Sequence, residues 1–285
     1  MKRILITAKN SYIGNAFADW TTDRYSLEFI TCRTNEWKKM DFSKYDVVLH
    51  VAGIAHVDAK NDLESLYYKV NRDLTIELAR KAKADGVKQF IFMSSMIVFG
   101  ESSANNPSVI VRKNTIPTPS SFYGNSKLQA EQGIAPLQDD SFKVVIIRPP
   151  MIYGKGSKGN FPKLAKLAKK TPFFPMIDNK RSMLYIENLC EFIRLMIDNK
   201  EHGIFHPQNK EYVNTTEMVS KIGKVYGKNI VVSKLFNFAI KLIGKKVNTV
   251  NKVFGTFYYE KSMCKYKVDY CVSSFEESIK LTVKD

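Results

Sequence analysis

Residues 2–20 read KRILITAKNSYIGNAFADW, and the succession of residue types within them sets the fold. KRILITA (2–8) is one strand's worth of apolar side chains, Thr7-Ala8-Lys9-Asn10-Ser11-Tyr12-Ile13-Gly14 is a short connection, and a helical stretch follows. A strand that turns directly into a helix brings the helix's unpaired N–H groups to the strand's carboxyl edge, where they suit the pyrophosphate of a dinucleotide. Glycines at G-x-x-G-x-x-G spacing usually serve such a loop, and that spacing falls here on Ala8, Ser11 and Gly14. Ala8 costs little if its φ is negative, whereas Ser11 stands where the backbone should approach the phosphates, with a hydroxyl able to donate to one. An ordinary β–α turn is the other reading of the same residues.

The pattern repeats outward from this unit. LEFITC (27–32), DVVLHVA (46–52), KQFIFMS (88–94) and FKVVIIRP (142–149) are compact apolar runs. Runs apolar on both faces suit a buried parallel sheet. Residues 62–85 and 123–135 read as amphipathic helices between them. The alternation predicts an α/β fold, a Rossmann-type doubly wound parallel sheet over 1–153, with ligands at the carboxyl ends of the strands. A smaller, mostly helical C-terminal lobe is expected over 154–285, with about 181–200 returning to the first domain. GKGSKGNFPKLAKLAKKTPFFP (154–175) predicts a loop, a Lys-rich helix and a Pro-bounded turn, and Asn214-Thr-Thr-Glu217 a capped helix start.

The chain has 285 residues, 44% of them hydrophobic, which excludes a disordered or collagen-like protein. Cys32, Cys190, Cys264 and Cys271 form no C-x-x-C pair, so reduced thiols and a cytoplasmic location are expected. The opening MKRILITA lacks the longer apolar run of a signal peptide, and no stretch approaches the length of a spanning helix. The net charge is +16, of which residues 151–285 carry most, with 24 basic against 12 acidic side chains. Nucleic acid, an anionic membrane and a phosphorylated small molecule are the partners such a charge admits.

The chemistry concentrates in Tyr123-Gly-Asn-Ser-Lys127. On a helix, residues four apart share a face, so phenol and ammonium project together. A tyrosine serves as an acid–base near neutral pH only if a neighbouring cation lowers its pKa, the part expected of Lys127. Ser95 ends the fourth predicted strand, so Ser95 and Tyr123 are expected on a substrate oxygen with Lys127 behind; Ser94 is expected to cap backbone. At the end of the second strand an acidic residue would grip a ribose hydroxyl, but the chain reads Thr31-Cys32-Arg33-Thr34. Arg33 either pairs with a 2′-phosphate, pointing to NADP(H) rather than NAD(H), or is a solvated surface residue.

This arrangement resembles the extended short-chain dehydrogenase/reductase family, the NAD-dependent epimerases and dehydratases of nucleotide sugars, over nearly the whole chain. His50-Val51-Ala52-Gly53 resembles the family's third-strand cofactor contact, and Asn71 the Asn of its N-x-x-G-T helix, with Leu74 in place of Gly. Arg148-Pro149-Pro-Met-Ile-Tyr-Gly154 is similar to the segment that frames the nicotinamide. Gly159-Asn160-Phe161 and Arg181-Ser-Met-Leu-Tyr-Ile-Glu-Asn188 resemble the two that hold the nucleotide diphosphate. The resemblance implies Ser95, Tyr123 and Lys127 as catalytic residues. It implies cofactor contacts at Ala8, Ser11, Tyr12, Ile13, Gly14, Arg33, Val51, Ala52, Gly53, Asn71, Tyr123, Lys127 and Pro149. Substrate contacts are implied at Ser95, Met96, Asn160 and Arg181, with a UDP-sugar as substrate. The helices at 62–85 and 123–135 match those that pair in the family's dimers, so a homodimer is implied.

Absent residues narrow the family's reactions. Dehydration needs an acid and a base after the catalytic serine, where Met96 and Ile97 cannot move protons. Epimerisation at C3 or C5 needs a further Cys or His pair, and no cysteine lies between 33 and 189. A 4-epimerase holding NAD and a 4-ketoreductase exchanging NAD(P)H remain, with a non-catalytic nucleotide sensor as a reading of another class. The missing glycines, Arg33, and Ala55 where the 4-epimerases have a lysine favour the reductase. So do KAKADGVKQFIFMSSMIVFG, SFKVVIIRPPMIYG and GIFHPQ, which resemble capsule-biosynthesis 4-ketoreductases forming UDP-N-acetyl-fucosamine; the quinovo product remains open.

Nucleic acid is not expected, because the lysines are dispersed and no reading motif accompanies them. Lys155, Lys158, Lys163, Lys166, Lys169 and Lys170 lie in a stretch (154–177) without an acidic residue. They are expected as a solvated helix face, with one or two steering the anionic substrate, or as a face on an anionic membrane. His202 and His206 are four apart, but in the strand-like GIFHP context they would lie about 13 Å apart, so no metal is expected.

Overall fold

A computed structural model describes residues 1–55, 63–103, 106–237 and 254–283. The chain divides into two compact units, the first comprising 1–100, 116–149 and 189–207, the second 101–115, 150–188 and 208–285.

The first unit is built on a six-stranded parallel sheet. Its strands are β1 (Arg3–Thr7), β2 (Ser26–Ile30), β3 (Val47–His50), β4 (Gln89–Met93), β6 (Lys143–Ile147) and β10 (Gly203–Phe205), in the order β2-β1-β3-β4-β6-β10. The apolar runs form strands because both faces are covered. Leu5, Val48, Phe90, Phe92, Val144 and Ile146 form one core with Leu78, Ala79 and Ala82 of α3 (Leu74–Ala84) and Ala130 and Ile134 of α4 (Phe122–Ile134). Alternate residues Ile4, Ile6, Leu49, Ile91 and Val145, all fully buried, belong to the other face. There α1 (Tyr12–Trp20) approaches closely: a Cβ on Gly14 would lie 3.0 Å from Ile6 and 3.3 Å from Phe29. α6 (Ile186–Asp198) is tied to the same sheet, since the Gln89 amide donates to the Met196 carbonyl (2.9 Å).

The chain runs from β1 to β2 on one side and then to β3 on the other side of β1. That reversal opens a crevice at the carboxyl ends of β1 and β3, where open parallel sheets take ligands. Among the described residues no strand lies beyond β2. Residues 31–46 instead hold a 3-10 turn (Asn35–Lys39) with Trp37 buried in the core.

The helix expected over 62–85 is described from residue 63. It comprises α2 (Glu64–Tyr67), a π-helical segment (Tyr68–Asp73) and α3, so the α pattern is interrupted at Asn71.

The second unit has more strand than the mostly helical expectation. Three short parallel pairs accompany its helices. β5 (Ser108–Val111) pairs with β12 (Thr256–Tyr259), β7 (Met151–Tyr153) with β9 (Met183–Tyr185), and β8 (Phe173–Pro175) with β11 (Val231–Ser233). The β5–β12 pairing carries 101–115 into this unit, against the expected boundary at 153, and the returning segment is 189–207 rather than 181–200. α5 (Asn160–Lys170) is the Lys-rich helix, and α7 (Thr215–Val225) starts where the Asn214 side chain accepts from the Thr216 and Glu217 N–H groups. Tyr153 is fully buried; its hydroxyl bonds Ser278 of α8 (Phe275–Val283) at 2.5 Å and accepts from Asn209 at 2.9 Å. The Lys-rich stretch at 228–267 lies in this unit, except that 238–253 fall outside the described residues.

Candidate active site

The loop after β1 differs from the negative-φ expectation. Ala8 has φ +69°, the left-handed conformation that glycine tolerates and a Cβ opposes at a cost of about 1–2 kcal/mol. It is held there by its N–H on the Ile30 carbonyl and by its carbonyl accepting from Ser11 N–H, both at 2.9 Å. Ser11 is the N-cap of α1: its Oγ accepts from Gly14 N–H at 3.2 Å. One N–H of the helix start is therefore already bonded, while the Ser11 hydroxyl hydrogen stays available to an anion. Tyr12 and Ile13 begin α1, and Arg33 is exposed beyond β2. Glycine removes that cost but gives the unfolded chain about 0.4–1 kcal/mol more conformational freedom, so Ala8→Gly should raise stability by the difference, about 0.5–1 kcal/mol. A denaturation midpoint unchanged or lowered in that variant would show that the loop carries no such strain.

His50, at the end of β3, is fully buried between two threonines. Its Nδ1 lies 2.9 Å from Thr7 Oγ1 and its Nε2 2.9 Å from Thr75 Oγ1. Thr75 donates its own hydrogen to the Asn71 carbonyl (2.7 Å), so it accepts from His50, which must carry its proton on Nε2. Nδ1 then accepts from Thr7, whose oxygen in turn accepts from the N–H groups of Val51 (3.1 Å) and Ala52 (3.0 Å). Every member is satisfied, and the chain of bonds fixes residues 51–52 at the mouth of the crevice.

Burial, and then the charge of Lys127, push His50 down to about 3, so it stays neutral in the folded protein. The unfolded chain takes up this proton below about pH 6.5 and the folded protein does not. Stability is thus intact above that pH and is lost as pH falls toward about 3, by about 1.4 kcal/mol per unit for this group. Urea unfolding across pH 4–7 should give a shallower acid slope for His50→Gln than for the native chain; equal slopes would remove His50 from the acid response.

The π-helical segment puts Asn71 beside the strand ends. Its Oδ1 accepts from Ile54 N–H (2.9 Å), and its Nδ2 donates to the Ile54 carbonyl (3.0 Å) and to Ser126 Oγ of α4 (3.1 Å). Gly53 sits in the narrowest place. A Cβ there would lie 3.0 Å from Asn71 Oδ1 and 3.3 Å from Lys127 Nζ. π-segments of this kind recur at functional sites because they redirect a side chain without ending the helix.

α4 brings Tyr123 and Lys127 to the carboxyl ends of β4 and β6. Ser121 caps it by accepting from Gly124 N–H (3.2 Å). Gly124 allows the close approach: a Cβ would meet the Ile97 carbonyl oxygen at 2.8 Å and Pro119 at 2.9 Å. The phenol of Tyr123 lies near enough to Ser95 for that hydroxyl to lower its pKa, and Ser95 also caps the 3-10 turn Met96–Phe99 by accepting from Ile97 N–H (3.3 Å). Lys127 is buried, with Nζ donating to the Met93 carbonyl (2.9 Å) and lying 4.6 Å from the Phe92 ring centroid. The two oxygens and the ammonium thus come from two segments, α4 and the end of β4, held at one end of one sheet.

Their protonation differs from the expectation. Burial raises Tyr123 to about 12, against the Ser95 hydroxyl and with the Tyr67 phenol adding to the rise. Burial lowers Lys127 to about 8, with the Glu131 carboxylate working against it. The lowering of the phenol expected from Lys127 is not present, because the ammonium faces the Met93 carbonyl and is itself discouraged by burial.

Met96 is buried, its N–H donating to the Pro149 carbonyl (2.9 Å), so its side chain offers little surface to a substrate. In the second unit, Asn160 is the first residue of α5. Arg181 lies at bridges to Val213 and Phe257 with one guanidinium nitrogen on the Gly255 carbonyl (2.8 Å). Its Nε is buried without a partner, and burial lowers it to about 10, against Glu101. A guanidinium in that state suits an anion. His206 lies tilted against Phe99 (6.1 Å between centroids) and is lowered to about 4 by burial and by Arg148.

Sequence reasoning missed Glu131. It lies one turn beyond Lys127, buried, and its carboxylate takes Arg148 in a fork, with Nε at 3.0 and 3.2 Å and a terminal nitrogen at 2.5 Å. Ser94, expected to cap backbone, instead donates to Glu131. The triad pins α4 to the ends of β4 and β6. The signal was present as Glu eight residues after Tyr123 on the same helix, a face otherwise committed to burial.

This doubly wound parallel sheet, with its β1–α1 turn at the switch point, is a dinucleotide-binding fold. Residues 8–209 match the model of the NAD dependent epimerase/dehydratase family, and the chain belongs to that family. The chain is 36% identical over 230 residues to a UDP-glucose 4-epimerase of Vibrio cholerae, covering 77% of this chain and 70% of that protein. It is 30% identical over 204 residues to the N-acetyl-alpha-D-glucosaminyl-diphospho-ditrans,octacis-undecaprenol 4-epimerase of Escherichia coli O157:H7, covering 64% and 59%. Among solved structures, a dTDP-4-dehydrorhamnose reductase of Clostridium acetobutylicum superposes with a TM-score of 0.75 at 18% identity, over 99% and 98% of the two chains, a likeness of fold.

The residues present fit a nicotinamide dinucleotide. The strained Ala8 turn and the α1 start with its free Ser11 hydroxyl hydrogen lie at the β1 edge, and the Cβ-excluding Gly53 lies between Asn71 and Lys127.

Proposed function

We propose that the protein is a 4-epimerase of a UDP-linked hexose or N-acetylhexosamine. The observation that carries this reading is the 36% identity with the Vibrio cholerae UDP-glucose 4-epimerase over most of both chains, in a protein with Tyr123 and Lys127 one turn apart on α4. A bound nicotinamide dinucleotide would accept and return the hydride at C4. Ser95 orients the C4 oxygen, and Tyr123 removes and restores its proton. For the first of these the phenol must fall from about 12. Ser95 already works in that direction, and the Lys127 ammonium, on the same helix face, supplies the rest on leaving the Met93 carbonyl. Val51, Ala52, Asn71, Pro149 and the loop Ala8–Gly14 would hold the cofactor, and Asn160 and Arg181 the diphosphate. A homodimer through the faces around 63–85 and 122–134 belongs to the same proposal.

A 4-ketoreductase exchanging NAD(P)H is the second reading, favoured by one structural observation. The loop spends the Gly14 N–H on Ser11, which leaves one donor fewer for a pyrophosphate. Exposed Arg33, suited to a 2′-phosphate, and Ala55 agree with it. The discriminating experiment is denaturation of the purified protein and identification of any released nucleotide. Stoichiometric NAD supports the epimerase; an empty protein that oxidises NADPH with a UDP-4-keto-6-deoxy-N-acetylhexosamine supports the reductase.

A further inference from the structure

The second unit presents a surface that neither reading uses. The exposed face of α5 carries Lys163, Lys166, Leu167 and Lys170, at spacings of three and four that set them side by side, while Phe161, Leu164 and Ala168 are buried on the opposite face. The helix ends at Thr171, whose N–H returns to the Leu167 carbonyl (2.9 Å), and β8 begins two residues later. Phe173 of β8 is in register with Val231 of β11, and they are 53% and 55% exposed, a large apolar pair on one side of a two-stranded ribbon. Met176 is bonded through its N–H to the Ser233 carbonyl (3.2 Å) and through its carbonyl to the Asn237 amide (2.8 Å), which places Leu235, 86% exposed, in the same stretch.

The segments that carry these residues are basic. No Asp or Glu occurs in 154–177 or in 218–259. Among the described residues, Lys163, Lys166, Lys169, Lys170, Lys228 and Lys234 are in no ion pair. Single exposed apolar residues are ordinary, but five of them, Leu167, Phe173, Met176, Val231 and Leu235, in two short basic segments where those lysines make no ion pair are not. A nucleic-acid face would pair its cations with a groove-reading element or with aromatic stacking platforms, whereas here the uncharged members are mostly aliphatic. Aliphatic side chains between lysines match the two layers of an anionic lipid surface, phosphates outside and acyl chains beneath.

We propose that the face formed by α5, β8, β11 and residues 234–235 docks on an anionic lipid bilayer. The lysines meet lipid phosphates, and Leu167, Phe173, Val231 and Leu235 enter the acyl boundary. The docking is peripheral and reversible, and it is independent of which C4 chemistry the protein performs.

The test is flotation of the full chain with phosphatidylcholine vesicles and with vesicles containing one third phosphatidylglycerol. The protein should partition at least tenfold more strongly to the anionic vesicles, and raised salt should weaken it. A lysine at such a surface contributes roughly fivefold in partition. Lys163→Gln/Lys166→Gln/Lys170→Gln should therefore lower binding by about two orders of magnitude, and Phe173→Ser/Leu235→Ser should lower it while preserving its salt dependence. All five positions are exposed, and an unchanged melting temperature shows that the fold is retained. Equal binding to both vesicle types, or anionic binding unaltered in both variants, would overturn the proposal. So would a change of sedimentation coefficient in the apolar variant with no change in lipid binding, which would make this face a contact between copies of the chain.

Discussion

Tyr123→Phe is expected to lower kcat by about 10²-fold or more with a much smaller change in KM. In the proposed reaction the phenol, in the first turn of α4, carries the proton, and loss of a positioned acid–base typically costs 10²–10⁴-fold. The ring would stay in place, since it packs near Tyr67 with 6.2 Å between centroids and α4 is capped by Ser121 independently of the hydroxyl. A variant that retains native turnover would remove Tyr123 from the chemistry. Lys127→Met should also lower kcat, with a stability rise accompanying it, because a buried ammonium lowered to about 8 is an unfavourable core residue. The combination of slower turnover and higher melting temperature is what a merely structural lysine would not give.

Glu131→Ala should produce the largest stability change. It leaves Arg148 buried without its carboxylate, and breaking one partner of a buried pair costs about 3–5 kcal/mol. In a chain of this size that is a fall in melting temperature on the order of 10 °C. Glu131→Met combined with Arg148→Met should recover most of it, because paired apolar replacements of similar volume are close to neutral. If the double variant is as unstable as Glu131→Ala, the loss is one of packing rather than of an unpaired charge. Gly124→Ala acts on the same helix by another route: the added methyl must displace the Ile97 carbonyl and Pro119, moving Tyr123 away from Ser95.

The large parallel strands were legible in the sequence because each is apolar on both faces and long enough to show it. KRILITA, DVVLHVA and KQFIFMS reappear as β1, β3 and β4 within a residue or two at either end. The three-residue strands β7, β8, β9 and β11 were not legible, since three residues carry no period, and their pairing depends on segments distant in the chain. The same cause hid the membership of 101–115 in the second unit, which follows from β5 meeting β12.

In the site, the spacing of Tyr123 and Lys127 and the strand-end position of Ser95 were readable because helix period and strand termini are local properties. What was not readable is conformational or collective. The positive φ of Ala8, the π-segment at Asn71 and the deep burial that moves Tyr123 up and Lys127 down arise only from packing. Glu131 reads as one more polar residue of an amphipathic helix until Ser94 and Arg148 are brought to it from the ends of β4 and β6, respectively.

The most direct measurement of the proposed activity is nuclear magnetic resonance of UDP-glucose and of UDP-N-acetylglucosamine incubated with the purified protein and no added cofactor. The expected result is inversion at C4 of at least one of them, to the galacto isomer, lost in Tyr123→Phe. Absence of inversion for both, with NAD(P)H oxidised only when a 4-keto sugar nucleotide is supplied, would contradict the 4-epimerase reading and establish the reductase in its place.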